Sequence, residues 1–179
     1  MIVTPLAIPD VLLVTPTVHH DARGFLLEAY NAARYAAANI PTGFVQDNHS
    51  HSIQHTLRGL HYQAGPGQAK LVRVTSGRIW DVAVDLRKSS STFGRWVAAT
   101  LDSDTHQQLF IPAGFAHGFV VLSERADVVY KLATPYAAEL ERGLAWDDPE
   151  LAIDWPITSP LLSVRDRDNP SFATLRGGG

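Results

Sequence analysis

The chain has 179 residues, 45% of them hydrophobic, which is enough for one substantial core and gives one domain as the expectation. A formal net charge of -3 and a pI near 6.2 leave no basic footprint for DNA or RNA, and the 15 Lys and Arg form no run dense enough for a membrane surface. Cysteine is absent, which excludes disulfides, thiolate metal sites and thiol nucleophiles.

The first residues, MIVTPLAIPDVLLVTP, lack a basic segment and are broken by Pro5, Pro9 and Asp10, so they do not read as a signal peptide. No apolar run approaches the roughly 18 residues of a membrane helix, and a cytoplasmic protein is expected. Short β-rich runs then follow one another: VLLVTP, GFLLEAY, TGFVQDNHS, HTLRGLHY, KLVRVTSG, RIWDVAVDL, RWVAATL, QQLFIP, GFVVL and DVVYKLA, with Gly, Pro, Ser or Asp between most of them. NAARYAAANI, Asn31 to Ile40, is Ala-rich and bounded by Pro41 and Gly43, which predicts a helix; a short helical piece is expected near SDTHQQ, residues 103–108. In RIWDVAVDL, Trp80, Val82, Val84 and Leu86 share one face, and Ile79, Asp81, Ala83 and Asp85 share the other. That period of two predicts a strand with one face in a core and the other partly polar. About ten short strands with little helix predict an all-β fold, a closed antiparallel barrel or jelly roll with few short peripheral helices. An immunoglobulin-type sandwich fits less well, since its usual Cys pair is missing. The domain is expected to span residues 1–176, with the glycines at 177–179 a disordered tail.

Polar residues on such strands would line a cavity. PAGFAH, Pro112 to His117, has the P-x-G-x-x-H form of the second metal motif of cupin barrels, and His49 and His51 of HSH offer further imidazoles. No Glu follows His51 at the matching offset, and Arg58 would oppose a cation, so no metal is expected. His61 read alone is an ordinary strand residue. As a base it needs a partner on its second ring nitrogen, and Asp166 and Asp168 of SVRDRDNP both offer one. Lys70, Arg58 and Arg23 are either surface cover or cavity cations for a phosphate or an oxyanion. Tyr130 and Tyr136 either pack a cavity wall or, facing a substrate, hand over a proton. Trp80, Trp96, Trp146 and Trp155 read as core or interface. AGPGQ lacks the G-K-S/T ending of a phosphate loop, and neither a G-x-S-x-G elbow nor a G-x-G-x-x-G turn is present.

FVQDNHSHS, LRGLHYQ, QAKLVRVTSGRIWDVAVDLRKSS, TFGRW, IPAGFAHGFVVLSE, ADVVYK and LLSVRD, in that order, closely resemble the dTDP-4-dehydrorhamnose 3,5-epimerase family from about Thr4 to Pro170. The resemblance implies a cupin-like jelly-roll barrel without catalytic metal or cofactor, assembled as a homodimer and acting on a dTDP-linked 4-keto-6-deoxy sugar. It implies His61 as the proton-abstracting base, Asp166 as its partner, Tyr130 as the acid on the opposite sugar face and Lys70 beside the developing enolate. It further implies Arg23, Glu28, Gln46, Asn48, Arg58, His117, Tyr136, Glu141 and Arg165 as nucleotide and sugar contacts. Four departures stand out: Arg165 where the family often has Lys, Pro135 in place of the first of two tyrosines, Ala138 in place of a later proline, and SHSIQHTLRG where SRS…GVLRG is more common. The resemblance also sets a geometric problem. Arg58 and His61 are three positions apart, so an undistorted strand would turn them to opposite faces.

Overall fold

A computed structural model describes residues 1–41 and 43–177. In chain order the strands are β1 (Ile2–Pro5), β2 (Leu12–Thr15), β3 (Val18–Asp21), β4 (Gly24–Leu27), β5 (Gln46–Ile53), β6 (Leu57–Gln63), β7 (Lys70–Ser76), β8 (Arg78–Asp85), β9 (Trp96–Asp102), β10 (Gln108–Ile111), β11 (Phe115–Val121), β12 (Arg125–Leu132) and β13 (Glu141–Gly143). Three short helices accompany them: α1 (Ala32–Ala37), α2 (Val164–Arg167) and α3 (Phe172–Gly177). No helix among the described residues is long and apolar enough to cross a membrane.

The strands form a six-stranded sheet, β1-β2-β10-β7-β12-β5, a five-stranded sheet, β13-β6-β11-β8-β9, and the separate hairpin β3-β4. Every pairing between these strands is antiparallel, and the result is the expected cupin-like jelly roll. The two large sheets keep separate hydrogen-bond ladders and are joined by the core between them. Val72 and Val74 of β7 and Val128 of β12 meet Ile79 and Ala83 of β8 and Phe115, Phe119 and Val121 of β11 in that inner core. A second cluster covers the outer face of the five-stranded sheet with Leu144, Leu151, Trp155 and Phe172. A third lies under α1 on the outer face of the six-stranded sheet, built on Tyr35, Leu71 and Phe110.

Several local expectations meet their physical reasons here. Helix α1 starts where Asn31 Oδ1 accepts from the Arg34 amide at 3.2 Å, and it ends at Ala37, because Ala38 and Asn39 leave the helical conformation. Residues 103–105 form a turn instead of a helix: Asp102 Oδ1 takes the amides of Asp104 and Thr105 and the Thr105 hydroxyl. The strand expected from TGFVQDNHS begins at Gln46, and its first residue, at position 42, lies outside the described residues. Gly177 ends α3, and the rest of the glycine tail, 178–179, lies outside the described residues.

Strand β8 corrects the half-polar expectation. Ile79, Asp81, Ala83 and Asp85 are fully buried, as are Val82 and Val84, because the strand is sandwiched between the inner core and the outer cluster. The tryptophans are core, as expected: Trp80 makes edge contacts with Trp96 at 5.9 Å and Trp155 at 5.2 Å.

A bulge in β6 resolves the problem of Arg58 and His61. His61 pairs with His117 while Arg58 pairs with Phe119, so three steps along β6 oppose two along β11. His117 and Phe119 share a face, and cross-strand partners share theirs, so Arg58 and His61 both point to the inner side. Glycine makes this possible. Gly59 has φ +122°, and a Cβ there would stand 2.6 Å from the Gly118 Cα and 2.7 Å from the His117 carbonyl oxygen. The two strands meet at the bulge on Gly59 and Gly118.

Candidate active site between the two sheets

On the inner face of the five-stranded sheet, two rows follow from the register. One runs His61, His117, Ala83 across β6, β11 and β8; the next runs Arg58, Phe119, Asp81. On the facing sheet, Lys70, Leu132 and Gln46 form one row of β7, β12 and β5, and Val72, Tyr130 and Asn48 the next. Val72 belongs to the inner core and Tyr130 packs against it, which fixes Lys70 and Tyr130 as inward. His61 and Tyr130 therefore stand on opposite walls of one interior.

His61 Nε2 lies 2.5 Å from Asp166 Oδ1. Asp166 sits in α2, whose first turn is capped by Ser163: the Ser163 hydroxyl accepts from the Asp166 amide at 3.0 Å. Burial alone would raise the Asp166 carboxyl, but the hydrogen bond and charge of His61, with the Ser163 hydroxyl and the Gly59 amide, outweigh it and hold the group below the usual carboxylate range. An ionised carboxylate only accepts, so Nε2 of His61 carries a proton toward Asp166, and in the neutral ring the lone pair is on Nδ1. That is the tautomer a base requires.

Lys70 is buried, with its backbone in the sheet between β10 and β12. Burial pushes its ammonium down to about 8, against the opposing charges of Asp81 and Glu141. His117, buried beside it, binds Asp81 Oδ1 through Nε2 at 2.6 Å. Burial lowers the imidazole, Lys70 and His61 lower it further, and Asp81 opposes them.

A chain of hydrogen bonds leads from the rim to Tyr130. Arg165 Nη1 and the Tyr136 hydroxyl both donate to Glu141 Oε2, at 2.5 and 2.6 Å. The Tyr136 amide donates to Gln46 Oε1 at 2.9 Å, Gln46 Nε2 to Asn48 Oδ1 at 2.8 Å, and Asn48 Nδ2 to the Tyr130 hydroxyl at 3.2 Å. Burial would raise Glu141, but Tyr136 and Arg165 bring it below its ordinary value. Glu141 in turn raises Tyr136. Arg58 is held near this interior through Ser52, its Nε donating to Oγ at 3.0 Å.

The sequence-derived set thus assembles in part. His61, Lys70, Tyr130, Asp166, His117, Arg58, Gln46, Asn48, Tyr136, Glu141 and Arg165 converge. Arg23 and Glu28 do not: Arg23 is paired with Asp21 beside the β3-β4 turn, and Glu28 is paired with Arg34 and Asn31. The imidazoles weighed for a metal are separated by the sheet. His49 and His51 alternate with the inward Asn48 and Ser52, so they face outward, where both bind Asp127 Oδ1, at 2.9 and 3.1 Å, while His117 faces inward. Among the described residues, no group of three or more His, Cys, Asp or Glu is placed to hold a metal ion.

Two residues escaped the sequence reading. Asp81 lies on the face expected to be partly polar, although the apolar Ile79 and Ala83 on that face mark it as buried. Ser163 was legible as a helix start, an S-x-x-D spacing ahead of Asp166.

Comparison with known proteins bears on the same geometry. Residues 5–174 match the family model described as dTDP-4-dehydrorhamnose 3,5-epimerase. A relative of that name from Pseudomonas aeruginosa is 55% identical over 172 residues, covering 95% of each chain. A crystal structure of a dTDP-6-deoxy-D-glucose-3,5-epimerase from Legionella pneumophila, in complex with dTDP-4-keto-L-rhamnose, superposes with a TM-score of 0.93 at 42% identity, over 99% of this chain and 94% of that one. A dTDP-4-dehydrorhamnose 3,5-epimerase from Bacillus anthracis with TDP and PPi bound gives 0.92 at 44% identity, over 94% and 98%.

Proposed function

The chain belongs to the dTDP-4-dehydrorhamnose 3,5-epimerase family, and we propose that it inverts C3 and C5 of dTDP-4-dehydro-6-deoxy-D-glucose to give dTDP-4-dehydro-L-rhamnose. The observation that carries the reading is the pair of opposed walls: an oriented imidazole on one, a phenol and a buried ammonium on the other.

The C4 ketone acidifies the protons on C3 and C5. His61 Nδ1 takes one of them, and the electron pair moves onto the C4 oxygen as an enolate. The resulting imidazolium is stabilised by the Asp166 carboxylate. Lys70 meets the enolate oxygen with a full charge in a water-poor interior, where it favours the developing anion over the neutral ketone. Tyr130 then delivers a proton to the opposite face of the carbon, the enolate returns to the ketone, and the centre is inverted. Solvent restores the proton to Tyr130 and removes the one on His61. The two centres take turns. Arg165, Arg58, Tyr136 and Glu141 at the rim suit a nucleoside diphosphate, with the guanidinium groups offering forked contacts to phosphate.

The proposed assembly is a homodimer. Its support is the β3-β4 hairpin, which stands apart from both large sheets with Phe25 58% and Leu26 74% exposed. In such a dimer, Arg23 and Glu28 would serve the nucleotide held by a second copy.

The test is incubation with dTDP-4-keto-6-deoxyglucose in deuterated water, reading each ring carbon by NMR. Deuterium at both C3 and C5, with a product reducible to dTDP-L-rhamnose, is expected. Exchange confined to one carbon would replace this reading with a mono-epimerase, and binding without exchange would replace it with a nucleotide-sugar-binding barrel.

A further inference from the structure

Asp81 is a fully buried carboxylate in the inner row next to His61 and His117. One of its oxygens takes the 2.6 Å hydrogen bond to His117 Nε2; the other, Oδ2, is buried with no hydrogen-bond partner among the described residues. A buried carboxylate left half-satisfied is costly unless a compensating charge lies nearby. Lys70 on the facing sheet is buried, and its ammonium feels the charge of Asp81. The two groups complement each other across the interior.

We propose that Asp81 is a positioning residue, the fixed negative charge that keeps the Lys70 side chain an ammonium and holds His117 in one orientation beside His61. The inference rests on the epimerase reading of the same interior. Asp81 does not reach the reacting atoms in this scheme; it acts through Lys70 and His117. Of the charges acting on Lys70, that of Asp81 is the largest, followed by Glu141. The other ionisable groups facing this interior are His117 and His61, with Asp166 behind His61, Tyr130 on the wall of Lys70, and Arg58 across Phe119 from Asp81 in the same row. Glu141 is committed to Tyr136 and Arg165 through Oε2, so its charge is already shared. Without Asp81, burial would take the proton from Lys70 at the pH where the enzyme must work, and the enolate would lose its cation.

The discriminating variant is Asp81→Asn. It keeps the shape and an oxygen for His117 Nε2–H while removing the charge. The measurement is the pH profile of C3 and C5 hydrogen exchange in the variant and the unaltered protein, at saturating substrate. The alkaline limb of the variant should move to lower pH by about 1 to 3 units, with activity partly recovered on acidification. A merely structural role would lower the rate at every pH and leave the limb in place, and that outcome overturns the proposal. Exchange by the unaltered protein keeps the epimerase reading standing whichever way the variant behaves. If Asp81→Asn alone does not fold, Lys70→Met/Asp81→Asn should recover folded protein, since the amine that must be buried without its counter-charge is gone. A double variant that also fails to fold overturns the proposal as well.

Discussion

Replacing Asp166 by Asn tests the base most directly. The substitution preserves volume and the α2 cap, since the Ser163 hydroxyl bonds the backbone amide of residue 166. It changes what faces His61 Nε2, which now lies 2.5 Å from a carboxylate oxygen. An amide oxygen would still accept from Nε2–H but would offer no charge to the imidazolium formed when a substrate proton is taken. The amide NH2, turned the other way, would draw out the opposite tautomer and place a proton on Nδ1, where the lone pair is needed. With charge centres roughly 4 Å apart and an effective dielectric near 20, the lost attraction is about 4 kcal/mol. That corresponds to a rate loss on the order of a thousandfold. The assay is deuterium incorporation at C3 and C5 by NMR, with thermal unfolding as the fold control. A folded Asp166→Asn protein that exchanges within tenfold of the original would refute the dyad and make Asp168 the residue to test.

Tyr130→Phe should leave deprotonation largely intact while inversion falls roughly a hundredfold or more; equal losses in wash-out and inversion, or none in either, would remove the phenol from its role. Gly59→Ala should cost about 2 to 5 kcal/mol in urea unfolding, from the positive φ together with the clash against the residue 117–118 backbone, whereas a change below about 0.5 kcal/mol would show that the bulge accommodates a side chain. Lys70 supplies a pH-dependent signature of stability. Its ammonium is pushed down to about 8 from 10.5, so between those values the unfolded chain binds the proton more and stability rises with pH. Against a Lys70→Met variant, the increment is about 3 kcal/mol from the lower to the upper pH; parallel stability curves for the two proteins would mean that the ammonium is well solvated.

The alternation of apolar residues makes the strands of the core legible, because β7, β8, β10, β11 and β12 each turn a face of apolar residues into it. The same signal misleads at β8, where both faces are covered and two aspartates sit among apolar neighbours. Period two also fails across β6. The bulge depends on Gly59 meeting Gly118, a contact between residues far apart in the chain, and a local pattern carries no trace of it. The residues of the candidate site were legible through motif resemblance, while their grouping follows from sheet register. That register draws Lys70, Tyr130, His61 and His117 inward and turns His49 and His51 away. It also leaves Arg23 and Glu28 outside the interior, as a hairpin that pairs only with itself must. The short SDTHQQ segment suggested a helix by composition, but Asp102 claims the local amides first.

The dyad spans 105 residues of chain, from β6 to α2. Every strand of both sheets has left the ribosome before Asp166 does, because β13 ends at Gly143. The last stretch of the chain, which brings Asp166, also carries Phe172, which closes the core on the outer face of the five-stranded sheet, and its backbone amide is taken by Asp148 at 2.8 Å. The segment that supplies the carboxylate to the histidine therefore also seals the scaffold, so a chain clipped before Ser163 would lose the base's partner and part of the core together.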